Sequence, residues 1–394
     1  MNLWRPLDTD NINNPYPMYE EIRNAGGIYK AQTGEIIVTN YKSVEAILKD
    51  KENFKVGNGK EWIERGVEYF KTKDTDLTSI TDAIDKFILL INPPEHQEIR
   101  KFISEVWNER EVENIILANC NELIDSIKDK SEFDLIEDFA SHLPAMTISR
   151  IMGIESDSYK ELQGHGEKMI KALDFYLKFE DLLKIEESAR AFINYFKKVI
   201  NKPPASGLIS KLTSANSARN KPLSEKQLIS ICIFLFVAGE ETTVSFISTS
   251  VYNLIRTNQW KTLKGEDVEN VIDELLRFDG PVQLLGRIAS SDVELNGTTI
   301  SKGSTVTLCL AAANRDPDQF KNPTVLDLTR KPRHLAFGTG NHFCLGDWLA
   351  RKQAGIALSM LIKNFPTLHL SNNKFTWRKQ LAIRRLELLP VLIK

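Results

Sequence analysis

Cysteine is scarce: four in 394 residues, at Cys120, Cys232, Cys309 and Cys344, none paired by spacing. That excludes a disulfide scaffold and argues against structural zinc, which needs four Cys or His ligands close together. Excess charge of one sign is also lacking. Lys and Arg number 51 against 53 Asp and Glu, a formal net charge of −2 spread along the chain. Nothing global therefore points to nucleic acid or an anionic membrane as partner. The longest apolar run, Ile229 to Ala238, is too short to span a bilayer. Linkers are missing too. Pro203-Pro204-Ala-Ser-Gly207 and Asn216-Ser-Ala-Arg-Asn-Lys-Pro222 are the loosest stretches, each short enough for a surface loop. Length alone, at roughly 150 residues per domain, would suggest two or three domains. The reading is nevertheless a single domain over 1–394. Met1-Asn-Leu-Trp-Arg5 carries no signal-peptide pattern, so a soluble cytoplasmic protein is expected.

What is present is mostly helical periodicity. A helix follows Pro15 and Pro17, a turn is expected at Gly26-Gly27, and a hairpin has Glu35-Ile-Ile-Val-Thr39 as its second strand. The next helix starts from Ser43, which can cap it, with Val44, Ile47 and Leu48 at helical spacing. From about Lys55 to Phe87 the pattern weakens, as in lids and binding loops. After Asn92-Pro93-Pro94 a helix sets Ile99, Phe102, Ile103 and Val106 on one stripe and His96 with Arg100 on another. Helices then dominate to about Phe278. Strands are expected from Pro281 to Leu310, with turns at Asn296-Gly297 and Lys302-Gly303. The fold class is mainly α with smaller β-sheets.

Chemistry concentrates near the C-terminus, in His334-Leu-Ala-Phe-Gly-Thr-Gly-Asn-His-Phe-Cys-Leu-Gly346. Gly338, Gly340 and Gly346 permit turns and close approach, so the loop can lie against a broad flat group with the Cys344 sulfur facing it. A lone cysteine is more often a small buried apolar side chain. Gly338-x-Gly340 lacks the third glycine of a dinucleotide fingerprint, and no Gly-Lys-Ser/Thr follows to form a phosphate loop. Upstream, Ala238-Gly239-Glu240-Glu241-Thr242-Thr243 lies inside a helical segment from roughly Ser224 to Arg256, with Phe234, Ala238 and Thr242 on one face. A mid-helix glycine costs about 1 kcal/mol against alanine. Thr242 has an alternative role, bonding back to the Ala238 carbonyl. Glu274-Leu-Leu-Arg277 places an acid and a base one turn apart, with Leu326-x-x-x-Arg330 between it and Cys344.

The pattern Phe337-x-x-Gly340-x-His342-x-Cys344-x-Gly346 resembles the cytochrome P450 family of haem-thiolate monooxygenases, in a soluble bacterial or archaeal type. The resemblance runs from Asn14-Pro-Tyr-Pro17 through Asn92-Pro-Pro-Glu-His96 to the cysteine loop, its motifs in order. It implies the P450 fold, a helical bundle with a long central helix over haem and minor antiparallel sheets. It also implies haem b, iron protoporphyrin IX, with Cys344 as the metal ligand. Phe337, Gly338, Gly346, Ala238 and Gly239 would lie against the cofactor, and His96, Arg100, Arg287, His334 and His342 at its propionate edge. Glu241 and Thr242 would deliver protons, and Glu240 would be solvent-facing or structural. Glu274, Arg277 and Arg330 would brace the cysteine loop; the chain departs from the pattern at Leu326, where the family often has Phe.

The implied reaction inserts one oxygen atom from O2 into a small apolar substrate, by hydroxylation or epoxidation. Ferredoxin and ferredoxin reductase, or flavodoxin, would supply electrons to a monomer. A haem-based gas or redox sensor and a peroxide-using enzyme of the same fold are alternatives; neither needs the acid-alcohol pair Glu241 and Thr242. Zinc-binding structural protein is a remote third. Phe234, Val237, Val282, Gln283, Leu284, Leu381 and Ile383 are expected to line the substrate pocket, which they make apolar and little else. The stretch from Lys55 to Phe87 and the helices around Gly164 to Phe196 would form the access channel. Terpene, fatty acid, steroid and macrolide all fit.

Overall fold

The computed structural model describes residues 2–57, 76–107, 112–155 and 158–393. These group into two compact units: Met1–Val56 with Cys120–Ala140 and Thr242–Lys394, and Gly57–Asn119 with Ser141–Glu241. The chain passes from one to the other after Val56, Asn119, Ala140 and Glu241. Because each unit is assembled from separated stretches, no linker marks a boundary in the sequence.

The first unit carries every strand among the described residues. Its five-stranded sheet joins β1 (Ile28–Lys30), β2 (Ile36–Val38), β3 (Phe54–Lys55), β5 (Leu284–Ala289) and β8 (Thr305–Cys309), in the order β1-β2-β8-β5-β3. Pairing is antiparallel except between β2 and β8, which run parallel, Ile37 facing Thr307. Ile36, Val38, Val306 and Leu308 bury their side chains in a core shared with Val44, Ile47 and Leu48 of the helix Tyr41–Lys49. That helix starts at Tyr41, two residues before the expected point, and its N-cap residue Asn40 makes no side-chain cap. Ser43 is not a cap but a buried acceptor, its hydroxyl receiving the Asn296 amide at 2.8 Å.

Asn296 and Gly297 both take positive φ, 49° and 74°, in the two-residue turn between β6 (Val293–Leu295) and β7 (Thr298–Ile300). That is the geometry asparagine and glycine favour in a tight hairpin. A three-stranded sheet of β4 (Glu132–Asp134), β10 (Pro390–Ile393) and β9 (Leu368–Leu370) was not legible in the periodicity. Strands this short show too few alternations to register.

All regular secondary structure among the second unit's described residues is helical. Helix Glu95–Val106 follows Pro94, has Glu95 and Glu98 in its first turn, and buries Ile99, Phe102 and Ile103. Acids there complement the helix dipole. Helices Tyr159–Met169 and Phe179–Asn201 pack on each other, His165 meeting Phe192 at 6.1 Å; within the second of them Phe192 stacks on Phe196 at 6.0 Å, and it also meets Phe236 at 5.6 Å. Residues 58–75, most of the irregular part of the expected access channel, lie outside the described residues.

The long helix Glu225–Arg256 contributes to both units. Interspersed Ser and Thr let its apolar stretch run beyond Ala238, so by length and composition it could cross a bilayer; most of that stretch is buried within the protein. It is a core helix.

Candidate active site

In the first unit, the loop 334–346 is folded by its own backbone. Gly338 N–H donates to the Leu335 carbonyl at 2.8 Å, Phe343 N–H to Gly340 at 3.1 Å, and Cys344 N–H to Phe337 at 3.0 Å. Gly338 and Gly340 hold φ of +68° and +73°, a region that side chains disfavour. A Cβ on Gly340 would also stand 2.7 Å from the Leu48 carbonyl oxygen, fixing the loop against helix Tyr41–Lys49. Gly346 differs. Its φ is −101° and a Cβ would meet no protein atom within 4 Å. Neither backbone nor packing calls for glycine there, whereas close approach by a flat non-protein group would.

The four cysteines are not equivalent. Cys120, Cys232 and Cys309 are fully buried, and burial pushes the thiols of Cys120 and Cys232 up to about 12 and that of Cys309 higher still. Such sulfurs are not thiolates at neutral pH. Cys344 alone is partly exposed, the setting in which a thiolate can ligate metal. Among the described residues no group of three or more His, Cys, Asp and Glu could hold a metal ion by itself, so a metal at Cys344 would need ligands from a cofactor.

Arg287, on β5, is 5% exposed and donates through Nη1 to the Gly286 carbonyl at 2.8 Å. No carboxylate among the described residues lies within ion-pair distance of it, and burial pulls its guanidinium down to about 10. A buried cation without a counter-ion costs several kcal/mol. A haem propionate would remove that cost, and the bidentate fork of Arg suits a carboxylate. With Cys344 and Gly346, Arg287 makes this unit a fit for haem.

Glu274 and Arg277 on helix Ile272–Asp279 are brought together with Arg330. Arg277 Nε and Nη2 each donate to a Glu274 oxygen at 2.7 Å, and both side chains are fully buried. Arg330 Nε lies 3.2 Å from the same carboxylate, which also accepts the Asp327 N–H at 3.0 Å. Arg277 reaches three further carbonyls, those of Asn314, Pro323 and Val325. Leu326, buried, sits inside the stretch so clamped.

His334 is placed differently from the expectation. Its Nε2 is 3.1 Å from Asp273 Oδ1 and its Nδ1 accepts the Ala336 N–H at 3.1 Å, so neither ring nitrogen is turned to a propionate. Asp273 also binds Arg351. Partial burial pushes the Asp273 carboxyl up, but hydrogen bonds from His334 and Arg351 outweigh it and hold the group at about 2. Arg351 in turn lies 4.8 Å over the Phe337 ring, joining this cluster to the cysteine loop. The cluster escaped sequence reading, although Asp273 adjoins Glu274 and Asp347 with Arg351 has the i, i+4 spacing of a helical pair.

In the second unit, His96 and Arg100 lie one turn apart on helix Glu95–Val106. His96 is 1% exposed; burial, and then Arg100, pull its imidazole down to about 4. Its ring would carry charge at neutral pH only with an anion beside it. On the long helix Glu241 is buried and Thr242 half-buried. Glu240 is not solvent-facing: it is 2% exposed, and a Cβ on Gly166 would run into its Oε2. A Cβ on Gly239 would reach only Ile148, at an ordinary 3.8 Å. Protein packing does not exclude a side chain there. Phe234 and Val237 are buried, Phe234 against Phe87 at 5.3 Å.

The remaining expected pocket residues meet in the first unit. Val282 bridges Ile383, Gln283 N–H donates to the Ala382 carbonyl and Arg384 N–H to that of Pro281, both at 2.8 Å. Gln283, Leu284 and Ile383 are buried, with the Gln283 amide donating to Gly280 O; Val282 and Leu381 are partly exposed.

A family model described as Cytochrome P450 matches residues 267–384. The chain is 34% identical over 393 residues to the Biotin biosynthesis cytochrome P450 of Bacillus subtilis (strain 168), covering 96% of each. It is 31% identical to the Polyketide biosynthesis cytochrome P450 PksS of the same organism, over 94% of this chain and 91% of the relative. Among solved structures it resembles P450BioI in complex with hexadec-9Z-enoic acid ligated Acyl Carrier Protein: TM-score 0.88, 32% identity, 98% of this chain and 99% of that one.

Proposed function

Since the chain belongs to the cytochrome P450 family, we propose that this monooxygenase oxidises a linear, mainly apolar acyl chain, free or carried on a protein, with haem b held by Cys344. Haem held by the Cys344 thiolate would supply the activation of O2 and cleavage of the O–O bond. The observation that supports this reading most is Arg287, a buried guanidinium with no carboxylate among the described residues in ion-pair reach, in the same unit as the partly exposed Cys344.

In this reading Arg287, His96, Arg100 and His342 neutralise the propionates. Phe337, Gly338, Gly346, Ala238 and Gly239 lie against the cofactor's faces. Glu241 passes protons inward, and the Thr242 hydroxyl holds the water or oxygen that receives them. Glu274, Arg277 and Arg330 act as positioning residues for the cysteine loop. Residues 1–394 are read as one catalytic domain, working as a monomer in the cytoplasm, with electrons from ferredoxin and its reductase or from flavodoxin.

An acyl substrate is supported by relatives named for biotin and polyketide biosynthesis and by a structural neighbour bound to an acyl carrier protein. The test is turnover under labelled O2 with surrogate electron donors, on hexadecenoic acid free and attached to acyl carrier protein. One labelled oxygen per product is expected. Product formed from added peroxide but not from O2 and electrons would replace the proposal with a peroxygenase.

A further inference from the structure

The first unit also contains a cavity of about 290 Å³ that shares no residue with the candidate active site. Its wall holds three guanidiniums, Arg256, Arg315 and Arg384, but one carboxylate, Asp279. That carboxylate is already engaged. Tyr16 donates its hydroxyl to Oδ1 at 2.7 Å, Asn253 its amide to Oδ2 at 3.3 Å, and Arg384 Nε stands 3.3 Å from Oδ1. Three positive charges against one negative leave the wall with an excess of two.

The guanidiniums are held in place before any ligand arrives. Arg315 stacks 3.4 Å from the Tyr16 ring centroid and 4.2 Å from that of Phe278, and Arg384 lies 3.4 Å over Trp377. Stacking by the face leaves the N–H edges for in-plane bonds. Arg384 spends its Nη groups on the Ile12 and Asn13 carbonyls, and Arg315 spends Nε and Nη2 on Phe278 O. Donors remain on Arg315 Nη1 and on Arg256, which is exposed and, among the described residues, donates only to Asn253 Oδ1, at 3.3 Å. Burial lowers the Arg315 guanidinium from its ordinary range, a cost that a bound anion would relieve.

We propose that this cavity binds a small polyanion bearing phosphate or carboxylate groups, gripped by Arg256 and Arg315. Its volume of about 290 Å³ far exceeds the roughly 10–15 Å³ that a single water needs, which leaves room for a phosphorylated or polycarboxylate molecule rather than a bare monatomic ion. Such a ligand is chemically unlike the apolar substrate, so the site would be an effector site.

The experiment is calorimetric titration of the haem-loaded full-length protein with pyrophosphate and, separately, citrate, at a constant ionic strength of about 0.15 M. Saturable binding with one site per chain is expected, weakened on the order of tenfold or more by Arg256→Gln. Binding of pyrophosphate but not citrate assigns a phosphate ligand, and the reverse a carboxylate. Arg315→Lys, which keeps the charge but loses the fork, serves as a second variant and should also weaken binding. Absence of saturable binding to the wild type, or unchanged affinity in a folded Arg256→Gln protein, would overturn the proposal.

Discussion

Glu274→Ala should be among the most damaging single changes in the chain, though the residue is expected to touch neither cofactor nor substrate. Its carboxylate accepts from Arg277 twice, from Arg330 and from the Asp327 N–H, and both Glu274 and Arg277 are fully buried. Truncation leaves the Arg277 charge in a low-dielectric interior with only the neutral carbonyls of Asn314, Pro323 and Val325 around it. Removing one partner of such a pair costs about 3–5 kcal/mol, a large share of the roughly 5–15 kcal/mol that holds a domain folded. The loss falls on the segment 323–330, which leads into the cysteine loop. Urea unfolding of apoprotein should show the full cost, and purified Glu274→Ala should carry little haem. Glu274→Gln, which keeps the shape and some of the acceptors, should lose less. A Glu274→Ala protein within about 1 kcal/mol of wild type, the range of exposed pairs, and normally loaded with haem would refute the reasoning.

Thr242→Ala should leave haem binding intact and divert oxygen to peroxide; unchanged coupling of electron use to product would remove Thr242 from the mechanism. Gly340→Ala forces a side chain into positive φ and against Leu48 O, so a loss of about 2 kcal/mol or more is expected, measured as a lower unfolding midpoint with reduced haem retention. Asp273→Asn should cost about 1 kcal/mol at pH 7 once screening of its half-exposed side chain is allowed for. Because folding lowers this carboxyl from 3.8 to about 2, the stabilisation is fully present above about pH 4. The difference between wild type and variant should hold from pH 7 to 5 and shrink below 4; a difference growing with acid would contradict the assignment.

The candidate site could be proposed from sequence because its residues are close together along the chain. Cys344 and its glycines sit within a few residues, and the Glu274–Arg277 pair is a single helical turn. The Asn296-Gly297 hairpin was readable for the same reason, since two residues dictate the turn. What could not be read depends on distant parts of the chain. Pairing of β2 with β8 joins residues about 270 apart, and the diversion of His334 to Asp273 arises only when helix Ile272–Asp279 meets the cysteine loop. The choice between a solvent-facing and a structural Glu240 was left open, because a charged residue beside an acid-alcohol pair gives no hint of the space left by Gly166.

The most direct test of Cys344 as a haem ligand is the absorption spectrum of the reduced protein under carbon monoxide, wild type beside Cys344→Ser. The wild type should show the strongly red-shifted Soret band of thiolate-ligated haem, and the variant should lose it while remaining folded. Haem bound with an unshifted band in the wild type, or a red-shifted band surviving in Cys344→Ser, would contradict the account.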